Sequence, residues 1–481
     1  MNRNVLLSMF SLSFLFIQTI NFAKPINIDM AIKVVNSHIF RAEKGNEITL
    51  KNLVAVSESN VVCFYAAELS PIGYIIVTAD DDLPPVIAYS FQDKLNSNGE
   101  FFEILKKDIS NRTANIDKMP IEKIRDNNLR WEELLNGKFS RGGVEYWPEQ
   151  GTTSTGGWLE TNWTQNAPYN NMCPMDPVTS SRSYTGCPAT AMSQILNFHK
   201  TTNNIVFSDD DDYYHNYAGR SFWIDNDFAT IGFPSFPQLN EYLATLTYNY
   251  QHHIMPTDQD MAALNFACGV AAQQVFTSEG SGTFGVIQAY DAYIRFGCNT
   301  VSLLENTDSE LFSRLEQNMK DTLPAHLAIV DAAWQTGHNI VVDGYNSDNF
   351  FHVNFGWGGS NNGWYLLPDQ LPYSLTVIEG LIVDILKEEV VSEQSAEKDI
   401  QFSIYPNPTQ SMIIISSDNG KNIANYNVRI ENTLGQKIFQ QALNQQQLQI
   451  ELKNICPKGI YFVKIIDNLG NLVNNEKIIH F

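Results

Sequence analysis

Cysteine is scarce in this chain. There are six in 481 residues, Cys63, Cys173, Cys187, Cys268, Cys298 and Cys456, and none falls in the C-x-x-C spacing that zinc sites and dithiol redox centres use. That argues against a disulfide-built scaffold and against a cysteine-held metal, and no metal or cofactor is expected. If Cys187 stays a free thiol, at least one further cysteine is unpaired, and a bridge between Cys268 and Cys298 is left open. Basic residues are also few, 31 Lys and Arg against 53 Asp and Glu, and a net charge of −22 repels nucleic acid and anionic membranes. No G-x-x-x-x-G-K-[ST] loop is present to cradle a phosphate. Beyond the N-terminus no segment approaches the ~18 consecutive apolar residues of a bilayer-spanning helix, so no membrane span is expected.

What remains is the composition of packed domains, 43% hydrophobic and 12% aromatic, at a length that suits about three of them. Arg3 precedes an apolar run from Val5 to Ile17, and Ala23 suits the last position before cleavage, so residues 1–23 read as an export signal. Ile28, Ala31, Ile32, Val35 and Ile39 then form a helical stripe, and VVCFYAAEL with GYIIVTADDDLPPVIAYSF reads as strands and turns. With a helical stretch ending near Trp131 to Leu135, residues 24–141 make a small α+β unit. From Asn136 to Gly157 periodicity is lost among Gly, Ser and Thr, which predicts an exposed, cleavable linker. Residues 142–386 form the largest unit, helices first and strands after. The charged stretch 387–399 reads as a second linker, and residues 400–481 carry short strands between Gly, Asn and Pro, a β-sandwich.

The first stretch with chemistry in it is YTGCPATAMSQILNFHK, Tyr184 to Lys200. Met192, Ile195, Leu196 and His199 share one helical face, and Pro188 suits the first helical position. Cys187 then sits where unpaired N–H groups and the helix dipole favour an anion, which lowers a thiol pKa and makes a nucleophile. The second is TGHNIVVDGYNSDNFFHVNFGWGGSNNGWYLLP, Thr336 to Pro368. His338, Ile340 and Val342 alternate on a strand, and a hairpin centred on Asn346 puts His338 opposite Asn354; a turn one residue longer puts Phe355 there instead. Cysteine, histidine and a ring-holding amide are what thiol acyl transfer needs: the imidazole takes the thiol proton and later protonates the leaving amine.

GCPATAMSQILNFHK together with GHNIVVDGYNSDNFFHVNFGWGG resembles the paired signatures of the streptopain family, papain-like secreted cysteine peptidases of bacteria. The resemblance covers the central unit, including NWTQNAPYN, Asn162 to Asn170, and SEGSGTFG, Ser278 to Gly285. It implies an α+β papain-like core with Cys187 as nucleophile, His338 as general base and acid, and Gln165 as side-chain donor in the oxyanion hole. It further implies that Trp357 shields the His338 hydrogen bond, and that Ser278, Gly280, Ser281 and Gly282 border a substrate pocket that takes a hydrophobic residue. Phe355 stands where relatives carry a first tryptophan, which removes an indole donor. The Asn354 role comes from hairpin geometry more than from the family. GYIIVTADDDLPPVIAYS resembles the inhibitory prodomain of such zymogens. The C-terminal unit, with YPNP, NTLGQKI and PKGIYFVKI, resembles the sorting domain of the type IX secretion route of Gram-negative bacteria.

The expectation is therefore a secreted or surface-held cysteine endopeptidase made as a zymogen. Its partners are protein or peptide substrates, its own prodomain as inhibitor and the secretion machinery. A surface adhesin or haemagglutinin on the same scaffold, and a thiol amidase or acyltransferase, are the alternatives. SDDDDYY, Ser208 to Tyr214, lacks the spaced ligands of a calcium loop and reads as a solvated charge run. His252 and His253 are adjacent and in a strand would point apart, and His199 and His352 read as structural.

Overall fold

The computed structural model describes residues 25–386, 402–417, 426–432, 436–443, 447–466 and 472–481, except 46, 59, 96–99, 138–142 and 369–374. The export signal and the 387–399 linker lie outside the described residues. The chain divides into two compact units at residue 387.

The N-terminal part of the first unit comprises α1 (Ile28–Arg41), β1 (Thr49–Glu58), β2 (Val61–Ser70), β3 (Tyr74–Thr78), β4 (Val86–Ser90), α2 (Glu100–Thr113) and α3 (Ile121–Asn136). Asn27 caps α1 by accepting the Met30 N–H, and α3 ends at Gly137 in the left-handed conformation that glycine adopts freely. Strands β3 and β4 are buried at every position. The reason is cover on both faces: Ile75 and Val77 pack with α1 and Trp131 of α3, while Ile76 packs with Phe102 and Leu105 of α2. That explains a continuous apolar run rather than alternation.

The larger part follows as β5 (Tyr146–Trp147), α4 (Cys187–Phe198), β6 (Tyr214–Tyr217), β7 (Arg220–Trp223), α5 (Phe228–Ile231), α6 (Phe236–Gln251), α7 (Asp258–Ala271) and α8 (Val286–Arg295). Then come β8 (Ser302–Leu304), α9 (Leu311–Lys320), β9 (Ala325–Val330), β10 (Gly337–Asn346), β11 (Phe351–Asn354), β12 (Gly363–Tyr365) and β13 (Val377–Val383). One sheet runs β1-β2-β3-β4-β12-β11-β10-β9-β13-β8, with β5 added to β10. The two parts are thus joined by main-chain pairing of Trp364 with Tyr89 and Tyr365 with Ala88. Helix α4 lies between the sheet and α7, and every residue from Pro188 to Asn197 is buried. Its polar members are satisfied inside: Ser193 donates to Asn265, and Asn197 accepts from the Tyr250 hydroxyl.

Two expectations are corrected. The stretch 136–157 is not a loose linker throughout: Tyr146 and Trp147 pair with Asn346 and Tyr345, and Trp158 N–H donates to the Asp343 carbonyl. Glycine and serine there serve close packing, since a Cβ on Gly157 would lie 2.2 Å from an Asp343 carboxylate oxygen. The β10–β11 register also differs. Asn354 pairs with Val341 and Val353 with Val342, because the ladder slips by one residue between Val342 and Gly344 and the turn closes between Asn346 and Phe350. Neither expected register is formed.

The second unit has two sheets around one core. One is β14 (Phe402–Tyr405), β15 (Ile413–Ser417) and β18 (Gln447–Ile450). The other is β17 (Lys437–Leu443), β16 (Tyr426–Asn432), β19 (Gly459–Ile466) and β20 (Leu472–His480). Ile413, Ile415, Val428, Ile430, Val463 and Ile465 meet between them, a sandwich as expected.

Candidate active site

Cys187 opens α4. Gly186 precedes it at φ 85, and a Cβ there would lie 3.1 Å from the Ser281 carbonyl, so only glycine lets the chain turn into the helix this close to the neighbouring loop. The loop itself is built rather than free. Asp176 accepts from the Ser278 N–H and hydroxyl, each at 2.9 Å, and from Arg220 through two nitrogens. Thr277 N–H donates to Ser281 Oγ, the Thr277 hydroxyl donates to the Gly280 carbonyl, and Gly282 exchanges two main-chain bonds with Val275. The structure therefore brings the Ser278–Gly282 loop, through Ser281 and Gly282, against Gly186 and Pro188 at the start of α4. The Asp176–Arg220 anchor went unrecognised in the sequence, where nothing links an aspartate and an arginine 44 positions apart.

The Gln165 carbonyl accepts at 3.1 Å the N–H of Thr185, two residues before Cys187. Gln165 is half-buried, and its side-chain amide has no hydrogen-bond partner among the described residues. His338 stands on β10, 7% exposed, with Trp357 stacked on its ring at 4.6 Å and Phe355 beyond at 6.2 Å. Its Nε2 donates to the Phe355 carbonyl at 2.9 Å, and no hydrogen bond joins it to Cys187.

Asn354 does not hold that imidazole. Its Nδ2 donates to the Thr161 carbonyl, and its Oδ1 accepts from Gly356 N–H and Gln194 of α4, so it ties the strand end to the helix. The physical reason is the register above, which turns Asn354 to the α4 side. The group beside the thiol is instead Asn339, whose Nδ2 lies 3.8 Å from Cys187 Sγ. Sequence reasoning passed over it, although adjacency to His338 on an alternating strand was a usable signal.

The electrostatics describe a resting pair. Burial pushes the Cys187 thiol up, against the downward pull of Asn339, and a Coulombic contribution from Glu379 pushes the same way as burial. The helix start was expected to lower it; loss of water around the sulfur outweighs that effect, although the residue as a whole is only half-buried. Burial holds His338 down to about 4, with the Phe355 carbonyl opposing. At neutral pH both groups are uncharged. Of the remaining features, all six cysteines are free, so Cys268 and Cys298 are not bridged. Asp211 pairs with Arg295, and His352 with Asp343.

Residues 163–365 match the Peptidase C10 family, and residues 403–480 match the secretion system C-terminal sorting domain. The chain carries a C10, streptopain-type peptidase domain and a type IX sorting tail, and is an exported protein of the cell surface or medium. It is similar to the thiol protease/hemagglutinin PrtT of Porphyromonas gingivalis, 26% identical over 390 residues, 75% of this chain. The chain spans only 40% of that relative's length. Streptopain of Streptococcus pyogenes is 24% identical over 358 residues, 69% of this chain and 81% of that protein. Among solved structures, a precursor fragment of interpain A from Prevotella intermedia is 22% identical, covering 69% of this chain and 97% of the fragment at a TM-score of 0.46. These homologues are cysteine proteases. No helix among the described residues is long and apolar enough to cross a membrane.

Proposed function

We propose that this chain is a secreted cysteine endopeptidase made as a zymogen, in which residues 24–141 inhibit residues 142–386. In the mature enzyme His338 takes the Cys187 proton and the thiolate attacks the substrate carbonyl. The Cys187 N–H and the Gln165 amide hold the resulting oxyanion. His338 then protonates the leaving amine, and water hydrolyses the thioester. One observation carries this reading: Cys187, the Gln165 main chain bonded to Thr185 and the loop at Ser281 gather at the start of α4, while His338 on β10 is covered by the Trp357 ring from the turn after β11.

Latency is supported by the route from the N-terminal part to His338. Strand β4 pairs with β12, β12 with β11, and β11 runs directly into Phe355, whose carbonyl holds the imidazole. The Arg41–Asp348 ion pair and the Asn346 bond to the Tyr89 hydroxyl, 2.7 Å, add to that grip. Removing β4 bares the β12 edge and loosens the carbonyl.

The test is hydrolysis of casein by the purified chain with and without iodoacetamide. Loss of hydrolysis in step with alkylation of Cys187 is the expected result. Hydrolysis that persists once Cys187 is fully alkylated assigns the activity elsewhere.

A further inference from the structure

Asn339 follows His338 on β10, and successive strand residues face opposite sides of a sheet. Ile340 and Val342 share the core of Phe355, whereas Val341 packs with α4. Asn339 belongs to the second set, which is why its Nδ2 reaches to 3.8 Å from Cys187 Sγ. Its Oδ1 lies 2.7 Å from His326 Nε2 on the neighbouring strand β9, and His326 Nδ1 lies 3.2 Å from the Tyr293 hydroxyl on α8. His326 and Tyr293 are fully buried.

An amide can present either end, and the imidazole decides which. Burial holds His326 down to about 4, so at neutral pH it carries one ring proton. The Tyr293 hydroxyl has no other partner among the described residues, so its proton is satisfied only by donation to Nδ1. The ring proton then sits on Nε2 and must meet an acceptor, the Asn339 oxygen. The amide NH2 is left facing the sulfur. The opposite tautomer would bury the tyrosine proton unpaired and aim a carbonyl oxygen at the nucleophile.

We propose that Asn339 is a further catalytic residue, whose amide donates to the Cys187 sulfur and stabilises the thiolate, and that His326, fixed by Tyr293, is the residue that positions it. The amide makes and breaks no covalent bond; the thiol proton leaves to His338 in catalysis or to solvent during alkylation. The proposal rests on the proposed function only in naming the Cys187 sulfur as the nucleophile. Other titratable groups facing this relay are Glu379 on β13, which opposes thiol ionisation, His338 on β10, and Cys268 and Cys298 beside Tyr293.

The test is the pH dependence of Cys187 alkylation by iodoacetamide in the full chain, followed on its own peptide, since the other five cysteines are buried. Asn339→Ala is expected to raise the midpoint by about one pH unit, the effect of one hydrogen bond to a charged group. Tyr293→Phe raises it less, and His326→Gln, whose amide can still donate to Oδ1, stays near wild type. An unchanged or lowered midpoint in Asn339→Ala overturns the proposal; should that variant fail to fold, an unchanged midpoint in Tyr293→Phe does so. Alkylation needs no proteolysis, so a wild-type chain that never cleaves casein sinks the peptidase reading while leaving this readout intact.

Discussion

Gln165 is the proposed oxyanion donor. Its main chain is tied to Thr185 while its amide spends no hydrogen bond on the protein. Gln165→Ala is expected to leave Cys187 alkylation near normal and to slow turnover by about 10²- to 10³-fold, the usual cost of one preorganised oxyanion donor. Stopped alkylation would mark the residue as structural. Asn354 is the opposite case, a buried amide whose donors and acceptors are all engaged with Thr161, Gly356 and Gln194. Asn354→Ala should therefore cost about 1–3 kcal/mol of stability by stranding those partners, read as a lower denaturant midpoint. If the midpoint holds and only turnover falls, Asn354 belongs to the chemistry after all.

Among the elements, the segment after α3 makes the sharpest claim. From Glu145 onward it is held to the β10–β11 turn by bonds at Ser347 and by the Tyr146 and Trp147 pairs, whereas a protease needs backbone it can draw out. Maturation cleavage is expected upstream of Glu145, and N-terminal sequencing of the secreted form reads it directly. A mature terminus between Gly151 and Gly157 would mean that β5 opens first. The same segment shows what a sequence makes legible. Glycine, serine and threonine without periodicity look alike whether solvated or packed, so the pairing of β5 and the contact of Gly157 with Asp343 were invisible. Helix α4 was legible because Gly-Cys-Pro before an apolar run has few other readings, and α1 because its stripe is regular. The hairpin register was not, since it turns on a one-residue slip beside Asp343 that no alternation pattern records. Hence the helix that carries Cys187 and the strand that carries His338 were legible, while the partners of Asn354 and the approach of Asn339 to Cys187 were not.

For the whole molecule the buried histidines set a pH limit. His38, His326 and His338 are each held down to about 4 from an ordinary value near 6.5, by burial first in every case. Above about 6.5 neither folded nor unfolded chain protonates them and they cost nothing. As pH falls from there towards 4 the unfolded chain takes up protons that the folded one refuses, so stability is lost across that window, about 3 kcal/mol per histidine. His38 sits against Tyr89 and Phe350, where the N-terminal part meets the β10–β11 turn. The melting temperature of the full-length chain is thus expected to fall between pH 6.5 and 4, and less so in His38→Phe. A melting temperature flat across that window would mean that these imidazoles are not buried as described. The most direct test of the central claim is the Cys187→Ala chain, purified alone and incubated with casein. The account expects a folded, unprocessed protein that leaves casein intact and is trimmed upstream of Glu145 when traces of wild-type enzyme are added. Casein cleaved by the Cys187→Ala chain itself would contradict it.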